Sequence, residues 1–186
     1  MDATTNIHTL QHFIGGSWCD AEGGETFEVL NPLDDSLYAV AAKGTGADMR
    51  RAVAAARNAF PAYADTTPTQ RERWLLRMAE IMETRLDDLV DCLIDEIGSP
   101  RQKAMFEFTK ALTMLRAAAG LCRNVRGETI PSDRPGSFSM SVRTPLGVVG
   151  VITPFNVPLI KTSRLVANAL AVGNTWCICR RKWPRA

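Results

Sequence analysis

The stretch Thr153-Pro154-Phe155-Asn156-Val157-Pro158 sets one amide side chain between two prolines. Proline fixes its own φ and restricts the residue before it, so Asn156 is held rather than mobile. A held amide N–H aimed into a dry cleft can stabilise the oxyanion of a carbonyl under attack, and such donors are worth roughly 3–4 kcal/mol. The same position suits an Asn that caps the helix after it. Spacing alone favours the cap. Cys177 and Cys179 form a C-x-C with no second pair at zinc spacing, so the ligand count argues against a metal. His8 and His12 stand four apart without acidic neighbours, as in a solvated terminus.

The elements that must position Asn156 follow from periodicity. "GVVGVITP" is a continuous β-branched run, expected as a strand buried on both faces. "FNVPLIKTSRLVANALAVG", with Pro158 early and Gly173 at its end, predicts a helix of about four turns. Strand, short loop and helix make half of a βαβ unit, and in an open parallel sheet ligands sit beyond the C-terminal strand ends. "TPFN" occupies that place. No G-x-G-x-x-G follows the strand, so the ordinary dinucleotide fingerprint is absent.

Upstream, "FIGGSW", "TFEVLN" and "SLYAVAA" read as short strands joined by Gly-Gly and Asn-Pro turns. "ADMRRAVAAARNAF" is an Ala-rich helix former whose end Pro61 marks. Leu75, Met78, Met82, Leu86, Leu89, Leu93 and Ile97 then repeat at threes and fours as one apolar stripe. Thr67 and Pro68 start that helix, Gly98 stops it, and a break near Thr84 fits the pattern. Ser99 and Pro100 open another helix, and the Met, Trp and Phe residues on these helices read as core. "FSMSVRTP" alternates as a half-exposed strand would.

Composition narrows the class. The net charge of the 186 residues is +2, too small for a nucleic-acid binder. Arg180, Arg181, Lys182 and Arg185 belong to the last few residues; without them 18 basic residues face 20 acidic ones. "MDATTNIHTLQHF" lacks the basic-then-apolar pattern of a signal peptide, and no apolar run approaches the ~20 residues a membrane span needs. Cys19, Cys92 and Cys122 are scattered through periodic segments, as in a reducing cytoplasm.

Together "FIGGSW", "FEVLNP", "EIGSPRQKA", "TPLGVVGVITPFNVPL" and "NALAVGNT" resemble, in order from about Phe13 to Thr175, the N-terminal part of an NAD(P)-dependent aldehyde dehydrogenase. The resemblance implies an α/β fold: short N-terminal strands, helices, a bridging strand arm and the first strand–helix of a parallel cofactor-binding sheet. It divides the chain into residues 1–125 (strands and helices), 126–145 (oligomerisation arm), 146–175 (first strand–helix of the NAD(P) domain) and 176–186 (an aberrant tail). It implies a Cys thiolate that attacks an aldehyde, hydride transfer to nicotinamide, and thioester hydrolysis with a Glu as general base. On it, Asn156 is the oxyanion-hole Asn, and Thr153, Pro154 and Phe155 line the nicotinamide ribose of NAD or NADP. Arg164 is reminiscent of members acting on aromatic aldehydes. A homo-oligomer, an aldehyde substrate, and neither nucleic acid nor membrane are the implied partners. None of the five cysteines has the surroundings of the family's nucleophile.

After Thr175 the text changes to "WCICRRKWPRA", where the family resembles V-V-x-K-P-S-E and its ribose-binding Lys is here Cys179. Thr-Trp-Cys is encoded ACN-TGG-TGY, and one base earlier this can read Val-Val. Continued, the hidden frame permits V-V-H-L-P-A-E-V-A-P. The expectation is a one-base deletion near Thr175, an out-of-frame tail, and a strand left without neighbours. Such a chain would be poorly soluble and without turnover. Three alternatives are a basic tail that docks on an acidic partner, a non-enzymatic helical and oligomerising module, and complementation by a downstream reading frame.

Overall fold

The computed structural model describes residues 7–180. Residues 1–6, at the start of the unpatterned terminus, and 181–186, with most of the basic tail, lie outside the described residues. The chain opens with β1 (His8–Leu10), β2 (His12–Ile14), β3 (Ser17–Cys19), β4 (Thr26–Leu30) and β5 (Leu37–Ala42). β2 and β3 form a hairpin whose turn, Gly15-Gly16, takes φ of 61° and 87°. Only glycine accepts two successive positive φ values at no cost, which is why the turn is Gly-Gly. β5 lies between β1, parallel to it, and β4, antiparallel. His8 and His12 belong to strands: His8 is exposed, as expected, with its ring 5.4 Å from that of Tyr38, whereas His12 is half-buried rather than solvated.

Four helices follow: α1 (Gly46–Ala64), α2 (Pro68–Thr84), α3 (Leu86–Ile97) and α4 (Arg101–Leu121). Thr45 and Asp48 close a capping box on α1, and Thr67 with Gln70 closes one on α2. Pro61 does not end α1, which runs another turn to Ala64. The missing proline N–H costs one bond near the helix end, and Tyr63 beyond it is fastened by stacking on Trp74 at 5.8 Å. The long apolar stripe breaks at Arg85, between α2 and α3, close to the expected Thr84, and Gly98 takes the left-handed stop at φ 65°.

The core gathers Leu75, Ala79, Val90, Leu93, Phe108, Leu112 and Leu115, with Ala167 and Ala171 of the next helix. Two expectations are corrected here. Met78 lies on the exposed side of α2 while Ala79 is buried, because the close approach of α4 admits a methyl where the pattern suggested a thioether. Trp74 and Phe106 are likewise exposed rather than core.

Two short antiparallel strands, β6 (Thr129–Ile130) and β7 (Ser139–Met140), pair within residues 126–145; the alternation of "FSMSVRTP" yields only this much strand. The last unit is β8 (Val148–Thr153), α5 (Pro158–Ala171) and β9 (Thr175–Arg180), with β8 and β9 parallel and in register from Val148–Thr175 to Thr153–Arg180. The fold is the expected α/β arrangement. Two readings of this unit need correction. β8 is buried on one face only: Val151 and Thr153 are covered, while Ile152 is 72% exposed. The text from Trp176, read as leaving β8 without a neighbour, forms a strand at least as far as Arg180. Alternating Trp, Cys and Ile suits a pleated half-buried surface, so this composition supports pairing with β8.

Candidate functional site

Residues 154–157 form the turn between β8 and α5, at the C-terminal edge of the parallel pair. Thr153 ends β8 with its side chain buried, whereas Pro154, Phe155 and Asn156 are exposed. The four residues singled out from the sequence are thus contiguous, but only three face solvent. Asn156 does not cap α5. The cap position is Val157, and no side chain of the helix's own N-terminus bonds its first N–H groups. Among the described residues the Asn156 side-chain amide has no hydrogen-bond partner.

The work of the missing cap is done from another helix. Glu107 of α4, fully buried, accepts the N–H of Leu159 on Oε1 at 2.7 Å. A carboxylate at a helix N-terminus also meets the positive end of the helix dipole. Lys103, one turn earlier on α4, donates to the carbonyl of Asn156 at 2.9 Å and to Ser99 Oγ at 2.7 Å. Its Nζ lies 3.7 Å from Glu107 Oε2.

The opposite end of α5 is fastened in the same borrowed way. α5 has no basic residue in its last turn. Arg71 of α2, itself buried, donates through Nε to the Ala171 carbonyl at 3.1 Å and through Nη1 to the Thr66 carbonyl. The Tyr63 hydroxyl donates to the Leu170 carbonyl at 3.1 Å, and burial pushes its pKa up to about 12. Beyond the helix, the Asn174 side chain accepts the N–H groups of Leu146 and Gly147 at 2.6 and 3.0 Å. That staples the entry of β8 to the exit of α5. Asn156 therefore sits at one end of a rigid strand–helix unit clamped from three sides.

Other candidates are not gathered here. Arg164 is exposed on α5, and no group of three or more His, Cys, Asp or Glu able to hold a metal occurs among the described residues. Burial pushes the thiols of Cys122 and Cys177 up, away from the thiolate that a nucleophile needs. A nicotinamide dinucleotide finds only part of a site. The turn offers the apolar surface of Pro154 and Phe155, but Cys179, exposed on β9, stands where a ribose-binding ammonium is expected, and a thiol is a weak hydrogen-bonding substitute. No described helix is long and apolar enough to cross a membrane.

Sequence reasoning missed Lys103, Glu107, Arg71 and Asn174. For Glu107 a signal was present: an acid on the face that also carries Ala104, Phe108, Ala111 and Leu115.

Comparison with known proteins places this geometry. Residues 18–179 match the aldehyde dehydrogenase family. Vanillin dehydrogenase of Pseudomonas fluorescens is 43% identical over 162 residues, covering 87% of this chain and 33% of that protein. The crystal structure of an NAD-dependent benzaldehyde dehydrogenase from Corynebacterium glutamicum superposes with a TM-score of 0.89 at 37% identity, over 95% of this chain and 38% of that one. That of a salicylaldehyde dehydrogenase from Pseudomonas putida G7, complexed with salicylaldehyde, gives 0.89 at 31% identity, over 92% of this chain and 35% of that one. The chain spans about a third of the length of the curated relatives it matches.

Proposed function

The chain belongs to the aldehyde dehydrogenase family, and on that premise we propose that its role is to supply the oxyanion-binding turn of an NAD(P)-dependent oxidation of an aldehyde to a carboxylate. The observation that carries this reading is the uncommitted amide of Asn156, exposed just past β8 on a turn clamped by α4. When a thiolate adds to an aldehyde carbon, the carbonyl oxygen becomes an alkoxide. An amide N–H already in place stabilises that charge without reorganising, by roughly 3–4 kcal/mol. The turn's apolar residues would exclude water from the nicotinamide side, with Thr153, Pro154 and Phe155 lining the ribose.

We assign the nucleophile and the general base to none of this chain's residues, so the purified chain alone is expected to be inactive. An aromatic aldehyde is the substrate class favoured, from the names of the relatives and from Arg164 on α5. A cytoplasmic homo-oligomer of the intact protein, built through the arm at 126–145, completes the proposal. The frame reading stays part of it: V-V-H-L-P-A-E would supply a family-like strand where β9 now has Trp176, Cys177, Ile178 and Cys179.

The test begins with the gene. If the nucleotides at Thr175 encode Val-Val one base back, restoring the frame gives a longer chain to assay with NAD and an aromatic aldehyde. There Asn156→Ala should lower kcat by about 10²–10³-fold with KM little changed. A kcat within threefold of the parent's would sink the oxyanion role. Nucleotides that cannot encode Val-Val dispose of the frame reading, and oxidation by the 186-residue chain alone disposes of its inactivity.

A second reading, a non-enzymatic oligomerising module, draws on the exposed Phe13, Trp18, Phe138 and Val142 of the strands and arm. Native mass spectrometry separates the two: stable oligomers that bind no NAD or NADP favour the module.

A further inference from the structure

We infer that Lys103 and Glu107 are the positioning residues of the Asn156 turn, an inference that rests on the oxyanion reading above. Pro154 and Pro158 remove two N–H groups from this short connection, so it must be fastened through its carbonyls and through the first N–H groups of α5. Lys103 and Glu107 take one of each. The Lys103 ammonium donates to Ser99 Oγ at 2.7 Å and to the Asn156 carbonyl at 2.9 Å, and faces Glu107 Oε2 as an ion pair at 3.7 Å. Ser99 is itself buried at the corner that joins α3 to α4, its N–H donating to the Leu93 carbonyl, so the ammonium hangs from a fixed point.

Glu107 is fully buried, and its Oε2 has no hydrogen-bond partner among the described residues. A buried carboxylate in that condition is strongly disfavoured unless a cation and a donor hold it. Lys103 is the cation, and the Leu159 N–H, at the positive end of α5, is the donor. The pair spans two successive anchor points, the Asn156–Val157 peptide and the first turn of α5. Fixing that peptide plane fixes where the Asn156 side chain leaves the backbone. With the carbonyl engaged toward α4, the amide is left for a ligand.

The experiment uses NMR on the 186-residue chain and three variants: Lys103→Met, Glu107→Gln and Glu107→Leu. Lys103→Met should shift the Asn156 carbonyl ¹³C and the Val157 amide ¹⁵N resonances, while α2 and the rest of α4 stay unchanged. Glu107→Leu should raise amide exchange at Leu159 by about tenfold, whereas Glu107→Gln, which keeps the Oε1 acceptor, should stay within about twofold of the parent. A side chain that only fills space would be served as well by Leu as by Gln. Equal exchange in the two Glu107 variants, or unmoved Asn156 and Val157 resonances in Lys103→Met, overturns the inference. If Glu107→Leu does not fold, Lys103→Met placed in the Glu107→Gln background decides by itself, since the Lys103 side chain is 40% exposed and the neutral amide needs no cation. Exchange and shifts report the turn and not turnover. Failure of the oxyanion reading therefore leaves this result standing, and the reverse also holds.

Discussion

Replacing Arg71 by Met tests how far α5 depends on fastenings it does not carry. Arg71 is only 9% exposed, and its guanidinium bonds the carbonyls of Ala171 and Thr66. Met keeps the length and the apolar stem but donates nothing. Hydrogen bonds from a charged donor contribute about 1.5–3 kcal/mol each, and the buried Ala171 carbonyl, left alone, costs about 1–3 kcal/mol. Against this, the variant no longer desolvates a cation, which recovers several kcal/mol in part. The balance is a loss of about 3 kcal/mol, in the range for breaking a buried hydrogen-bond network. For a chain of this size that lowers Tm by roughly 6–12 °C. Circular dichroism melts of parent, Arg71→Met and Arg71→Lys make the measurement. A lysine is a point charge that cannot bridge both carbonyls, so it should recover at most about half of the loss. A Tm drop under about 2 °C in Arg71→Met, or full recovery by Lys, would show that the α5 carbonyls need no donor from α2.

Gly173→Ala should destabilise by more than about 1 kcal/mol, because φ is 86° and the new Cβ would lie 2.9 Å from Pro145 Cγ; a urea midpoint equal to the parent's would refute the close contact. Burial raises the Tyr63 phenol to about 12, above its ordinary value near 10. The folded state thus holds a proton that the unfolded state releases, and stability present below pH ~10 should decline as pH rises toward ~12; a 295 nm titration of folded protein with an ordinary tyrosine midpoint contradicts this. Asp48 behaves oppositely. The N–H of Thr45 is the largest influence holding its carboxyl below the usual range, with the Thr45 hydroxyl and the Glu22 N–H adding to it. Its contribution is full above pH ~4 and is lost as pH falls through its folded-state pKa, so Asp48→Asn should flatten the acid limb of stability against pH. An unchanged acid limb counts against it.

The strand–turn–helix around Asn156 was legible because β-branched runs, prolines and a terminal glycine are local signals. So was the cap at Thr67, whereas "FIGGSW", read as one strand, is a hairpin turning at Gly15-Gly16. What could not be read is whatever depends on a distant partner. Glu107 stands out on an apolar face, yet the N–H it serves is 52 residues on, and nothing near it in sequence names Leu159. Arg71 is equally mute, its acceptor lying 100 residues away. Pro61 misled because a local rule was overruled by Tyr63 docking beyond it. Met78 and Ala79 exchanged places because periodicity reports a face but not how closely the neighbouring helix approaches. β8 looked doubly buried because its residues suit a central strand, while Ile152 is uncovered among the described residues.

That α5 borrows both its ends has a consequence for the order of assembly. A 14-residue helix without its own caps is marginal in water, so α5 cannot persist until α2 and α4 have met. Synthesis delivers those helices first. The nascent chain thus offers finished sockets before the segment that plugs into them exists, and the Asn156 loop sets only once α5 has docked.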